Sequence, residues 1–111
     1  MKRDYKLFID DVINSINIIE KYLRDVSEEQ FMKDEKLQDA VIRRLEIIGE
    51  ASKNIPTVVK QANKEISWTK ISGYRDFITH SYFETSLQRV WEVATRELPK
   101  LRESFKKIKL V

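Results

Sequence analysis

The residues best suited to chemistry in this chain fall within one short stretch, Gly73-Tyr74-Arg75-Asp76-Phe77-Ile78-Thr79-His80-Ser81-Tyr82-Phe83. It holds the single histidine of the 111 residues, with an arginine five positions before it, a carboxylate four before it and a phenol two after it. A regular helix turns about 100° and rises about 1.5 Å per residue, so Asp76 and His80 share a face within hydrogen-bonding reach. A carboxylate there fixes the imidazole tautomer and raises its basicity, as a general base requires. Arg75 and Tyr82, two turns apart, lie on an adjoining stripe. Arg75 and His80 are separated by about 140° around the axis and about 7.5 Å along it, too far for direct contact on a regular helix. A site confined to one chain is therefore awkward, and one shared between two copies is easier.

With no cysteine, the chain has no thiolate nucleophile, disulfide framework or sulfur-ligated metal. One histidine and carboxylates scattered along helices do not make a metal centre, so no metal or other cofactor is expected. Arginine and histidine alone suit phosphodiester cleavage of RNA, because the ribose 2′-OH supplies the nucleophile and the protein need only move protons and stabilise charge on phosphorus. Arginine grips a phosphate bidentately, and histidine titrates near neutral pH. One histidine does not conveniently act as base and acid at once, whereas a two-fold dimer brings a second His80 and Arg75 to a common cleft. The plainer alternative is a surface ion pair beside a partly buried imidazole, with Tyr82 and Phe83 as core aromatics. Trp68 and Trp91 read as packing anchors rather than base-stacking platforms.

The elements that must hold this stretch are helices. Apolar positions Phe8, Ile9, Val12, Ile13, Ile16, Ile19, Leu23 and Val26 recur at three and four, marking one face of a long helix capped by Asp4. Ser27 and Gln30 form a capping box for a short segment through Phe31. A longer helix starts near Asp34 and buries Leu37, Ala40, Val41, Leu45, Ile48 and Ala51 until Asn54, ahead of Pro56. The first and third helices are expected to pack antiparallel. A brief helix with Pro56 in its first turn runs to Asn63. Ser67 caps a segment with Trp68, Ile71, Tyr74 and Ile78 that Gly73 breaks or tightens. Ser86 caps the last helix, with Leu87, Val90, Trp91, Ala94, Leu98, Leu101, Phe105 and Ile108 in register and Pro99 bending it.

Two Gly and two Pro are too few for the turns of a sandwich or barrel, so the fold class is all-α, an antiparallel helical bundle. Apolar residues at 41% and charged ones at 35% fit one thin-cored domain over residues 1–111. The net charge of +3 permits a nucleic-acid partner without demanding one. Lys106, Lys107 and Lys109 read as solvated charges at a helix C-terminus. The first residues lack the apolar run of a signal peptide or membrane span, so a cytoplasmic location without membrane contact is expected.

Arg-x-x-x-x-His-x-Tyr, as Arg75, His80 and Tyr82, resembles the signature of HepT-like toxins, small helical ribonucleases of the HEPN superfamily. Residues 39–51, Trp68 with Ile71-Ser72-Gly73, Phe83 and Val90-Trp91 also fall where that family has its conserved blocks. The resemblance implies a HEPN-type homodimer with Arg75 and His80 as catalytic residues in an interface cleft that cuts RNA. It implies a type VII-like HepT/MntA toxin–antitoxin pair, in which an MNT-type nucleotidyltransferase antitoxin uses ATP to place AMP on Tyr82. Asp76 stands where close relatives most often carry Asn, in a supporting position that partly offsets Arg75. Thr79 replaces an aliphatic residue and Ser81 a frequent glycine. The alternatives are a non-catalytic HEPN module that binds nucleic acid or a nucleotidyltransferase, and a purely structural helical dimer.

Overall fold

The computed structural model of the chain describes residues 4–77 and 84–110, and every regular element among them is helical. Helix α1 spans Tyr5–Tyr22, and the Asp4 carboxylate accepts the Lys6 N–H at 3.0 Å, satisfying one of the donors a helix start leaves unpaired. Its Val12, Ile16 and Ile19 are fully buried. The apolar spacing continues to Val26, but the helix stops at Tyr22. Asp25 adopts φ 60, a left-handed conformation that ends the spiral without a glycine, so Val26 lies beyond it.

Helix α2 (Glu28–Lys33) opens with the expected reciprocal capping box between Ser27 and Gln30, and it buries Phe31, whose ring centroid lies 5.4 Å from that of Trp91. Helix α3 (Glu35–Lys53) begins where the Asp34 carboxylate accepts the Leu37 N–H at 3.1 Å. The Gln38 side-chain amide donates to the Phe31 carbonyl at 2.9 Å, tying α2 to the first turn of α3. Near the start of α1, Phe8 and Asp11 share a groove with Glu50, Ala51 and Asn54 at the end of α3, so these two helices run antiparallel as expected. Val41, Leu45 and Ile48 of α3 are fully buried against the α1 stripe. Each such side chain contributes about 1.5–3 kcal/mol relative to exposure.

Helix α4 (Thr57–Ala62) follows Pro56, which sits at the cap rather than inside the first turn. The connection to α5 (Trp68–Ser72) is organised by the fully buried Asn63. Its side-chain amide donates to the Val59 and Lys109 carbonyls at 2.8 and 3.1 Å, its side-chain oxygen accepts the Lys109 N–H at 2.9 Å, and its backbone carbonyl accepts the Trp68 indole N–H at 3.0 Å. Trp68 packs 5.6 Å from Phe105, so both tryptophans serve as packing anchors.

The last long helical run is described from Glu84, so Ser86, the expected cap, lies within the helix rather than at its start. Helix α6 (Glu84–Glu92) passes through a π-helical turn, Val93–Glu97, into α7 (Leu98–Lys106). The expected effect of Pro99 takes this form. Proline lacks the N–H that would reach the Thr95 carbonyl, and its ring crowds that carbonyl. One wide turn, closed by the Leu98 N–H on the Val93 carbonyl, relieves the conflict. Arg102 of α7 clips back to α1 through Asn17 at 2.9 Å and Glu20 at 2.6 Å. Among the described residues no helix is long and apolar enough to cross a membrane.

Candidate active site

Arg75 projects from a tight turn at the end of α5. Backbone bonding contracts at Gly73–Arg75 into a 3₁₀ turn, with the Asp76 N–H donating to the Gly73 carbonyl, which is the tightening that Gly73 predicts. The turn is anchored from below by Tyr74, only 4% exposed, whose ring stacks near that of Phe77 at 6.2 Å between centroids. Behind it, the π-helical turn carries Glu97 to Lys70 at 2.9 Å and to Arg89, with which it forms a short ion pair. Burial works to raise the Glu97 carboxyl, but hydrogen bonds and charge from Lys70 and Arg89 outweigh it and hold Glu97 below the usual carboxylate range. Burial first, then the neighbouring Glu97 charge, push the Tyr74 phenol up, so it stays protonated. Tyr74 is thus a neutral anchor, and the residue after it is fixed at the surface.

The other side of the turn rests on α3. Arg75 Nε lies 2.8 Å from Glu50 Oε1, and both side chains are 46% exposed. The preceding residue, Gly49, is buried beneath the arginine stem. A Cβ built on Gly49 would stand 2.8 Å from Arg75 Cγ and 3.5 Å from the Ile71 carbonyl oxygen, so only glycine leaves room for this approach. Sequence reasoning placed both within the 39–51 block but gave neither a role. The available signal was a glycine in mid-helix, where it costs about 1 kcal/mol relative to alanine and so asks for a packing reason. Beside Glu50, a groove of about 220 Å³ runs between α1 and α3, bordered by Phe8, Arg43, Glu46 and Ile47.

Of the expected site residues, the structure places Arg75 and Asp76 side by side at the surface. His80 and Tyr82 lie outside the described residues, as do Thr79, Ser81 and Phe83. Glu50, far away in the sequence, is the carboxylate paired with the Arg75 Nε. Among the described residues no three of His, Asp and Glu gather closely enough to hold a metal ion. The geometry offers a guanidinium on a braced turn, its Nε edge facing Glu50, and the fork of terminal nitrogens is the edge that matches an anion such as phosphate.

Comparison with known proteins gives the family of the chain. A family model described as ribonuclease HepT-like matches residues 12–108. The chain is 40% identical over 109 residues to a "Probable ribonuclease HepT" of Thermococcus cleftensis, covering 98% of this chain and 99% of that protein. It is 41% identical over 108 residues to a "Gamma-glutamylcyclotransferase and putative RNase" of Methanocaldococcus jannaschii, covering 97% of this chain but 49% of that longer protein. No solved structure gives a significant match. The extent of these matches, on an all-helical chain, establishes that it belongs to the HepT-like ribonuclease family.

Proposed function

We propose that this protein is the toxin of a two-component system, a metal-independent endoribonuclease acting as a homodimer in the cytoplasm, with residues 1–111 as its catalytic domain. The observation that carries the reading is Arg75, a half-exposed guanidinium on a turn braced by the buried Tyr74, in a chain of the HepT-like ribonuclease family. Arg75 meets the scissile phosphate and stabilises the charge that builds on its oxygens in the transition state. His80 removes the proton from the ribose 2′-OH, whose oxygen attacks phosphorus. The bond from phosphorus to the 5′-oxygen breaks, and that oxygen takes a proton from His80 of the second copy. The products are a 2′,3′-cyclic phosphate and a 5′-hydroxyl, so protons and electrons balance without a co-reactant. Asp76 supports the site by orienting His80.

Regulation acts through the tyrosine of the same motif. An MNT-type nucleotidyltransferase antitoxin transfers AMP from ATP to the Tyr82 hydroxyl, releasing pyrophosphate. The added bulk and negative charge beside Arg75 occlude the site and repel RNA without unfolding the protein. Purified protein incubated with RNA and a chelator is expected to cut, and Arg75→Ala and His80→Ala are each expected to abolish cutting while leaving the dimer intact. RNA binding without products in the unmodified protein would instead identify a binding module. Loss of cutting after incubation with the antitoxin and ATP, with an AMP mass increment on Tyr82, tests the regulatory half.

A further inference from the structure

We infer that Glu50 is a positioning residue for RNA cleavage, holding the Arg75 guanidinium by its Nε edge so that its terminal amino groups face the phosphate. The inference rests on the proposed role of Arg75 and adds to it a residue from α3. Arginine carries one N–H on Nε and two on each terminal nitrogen. Glu50 engages the Nε edge at 2.8 Å. Glu50 thus meets the Nε side and not the fork of the two terminal nitrogens, the edge that matches a phosphate bidentately. Without such a tether, a half-exposed arginine samples many rotamers, and each catalytic event must first select the productive one.

Three further features single out orientation as the purpose of the pair. Both partners are 46% exposed, and ion pairs at that exposure contribute little to folding. A carboxylate beside a phosphate-binding arginine also opposes phosphate affinity, so a purely electrostatic site would be better without it. Gly49, adjacent in the chain, removes the side chain that would otherwise hold the arginine stem off α3. The glycine brings the stem close and the glutamate fixes the direction of its head.

The test compares Glu50→Ala, Glu50→Gln and Arg75→Ala by steady-state cleavage of a defined RNA oligonucleotide and by thermal unfolding. Misplacing a catalytic group by about 1 Å can cost about 10²-fold in rate, and Glu50→Ala is expected to lower kcat by about 10- to 100-fold. Its KM should stay level or fall, because a negative charge has left the site. Glu50→Gln keeps an oxygen that accepts the Nε proton and should restore most of kcat. The melting temperatures of both Glu50 variants should match that of the parent. An alanine variant with undiminished kcat would overturn the positioning role, as would a glutamine variant no better than alanine. The two levels of the argument separate cleanly. If Arg75→Ala cuts at the parental rate, the proposed function fails and this role with it; if Arg75→Ala is inactive and Glu50→Ala is not impaired, only this role fails.

Discussion

Replacing Gly49 with alanine should leave stability nearly unchanged and make the protein much less active, two effects that most mutations do not separate. The new Cβ would lie 2.8 Å from Arg75 Cγ. Nonbonded carbons rest at roughly 3.5–4.0 Å, so the stem must retreat by about 1 Å. The contact is with Cγ, close to the backbone, while Arg75 Cδ and the Ile71 carbonyl oxygen, both at 3.5 Å, are at ordinary contact distance. The stem must therefore leave its rotamer, at a cost of about 1 kcal/mol. Against it stands the gain of alanine over glycine in mid-helix, about 1 kcal/mol. The two effects nearly cancel, so the net change in stability should stay within about 1 kcal/mol, equivalent to a melting temperature moved by no more than about 4 °C. An arginine head displaced by about 1 Å no longer meets the phosphate in line, and cleavage should fall by about 10²-fold. Thermal unfolding followed by circular dichroism and cleavage of a fluorescent RNA oligonucleotide measure the two quantities on one preparation. A variant that cuts at the parental rate would refute the seating of Arg75 on α3, and a melting temperature lowered by more than about 4 °C would show that the turn cannot yield.

Other expectations follow from the same structure. Asn63→Ala removes three side-chain hydrogen bonds from a fully buried position and strands the Lys109 N–H, so it should cost about 3 kcal/mol in denaturant unfolding and raise hydrogen exchange at Lys109. Phe31→Ala empties a fully buried site against Trp91 and should cost about 3–5 kcal/mol by the same measurement. Glu97 is held below its usual value of 4.5 in the folded state, so its ionised form stabilises the fold above that pH, and the contribution is lost as pH falls through the depressed value. The stability advantage of the parent over Glu97→Gln should accordingly be full at pH 7 and shrink on acidification below 4.5, as read from urea midpoints across pH.

What the sequence made legible was local. The caps at Asp4, Ser27 and Asp34 and the apolar stripes of α1 and α3 depend on residues within a turn or two of one another, and the structure has each of them. The end of α1 was hidden because the stop is a non-glycine residue, Asp25, in a left-handed conformation, while Val26 preserved the helical spacing. Pro99 announced a disturbance, but whether the ladder would kink or widen depended on how the backbone redistributes its hydrogen bonds, and it widened by one π turn. Arg75 and Asp76, which the structure places at the surface, were singled out by their spacing and by the family motif. Glu50 and Gly49 were not, because their meeting with Arg75 joins α3 to the turn after α5 and is a product of tertiary packing. The glycine inside an otherwise strong helix was the one local trace of that contact.

The most direct measurement is the chemistry of the ends left on cut RNA. Wild-type protein, Arg75→Ala and His80→Ala are incubated with an oligonucleotide in excess chelator, and the products are resolved by mass spectrometry. A nuclease built on guanidinium and imidazole leaves a 2′,3′-cyclic phosphate and a 5′-hydroxyl, spares a strand lacking the 2′-hydroxyl, and yields nothing in either variant. Products bearing a 5′-phosphate, or equal cutting of the deoxy strand, would contradict it.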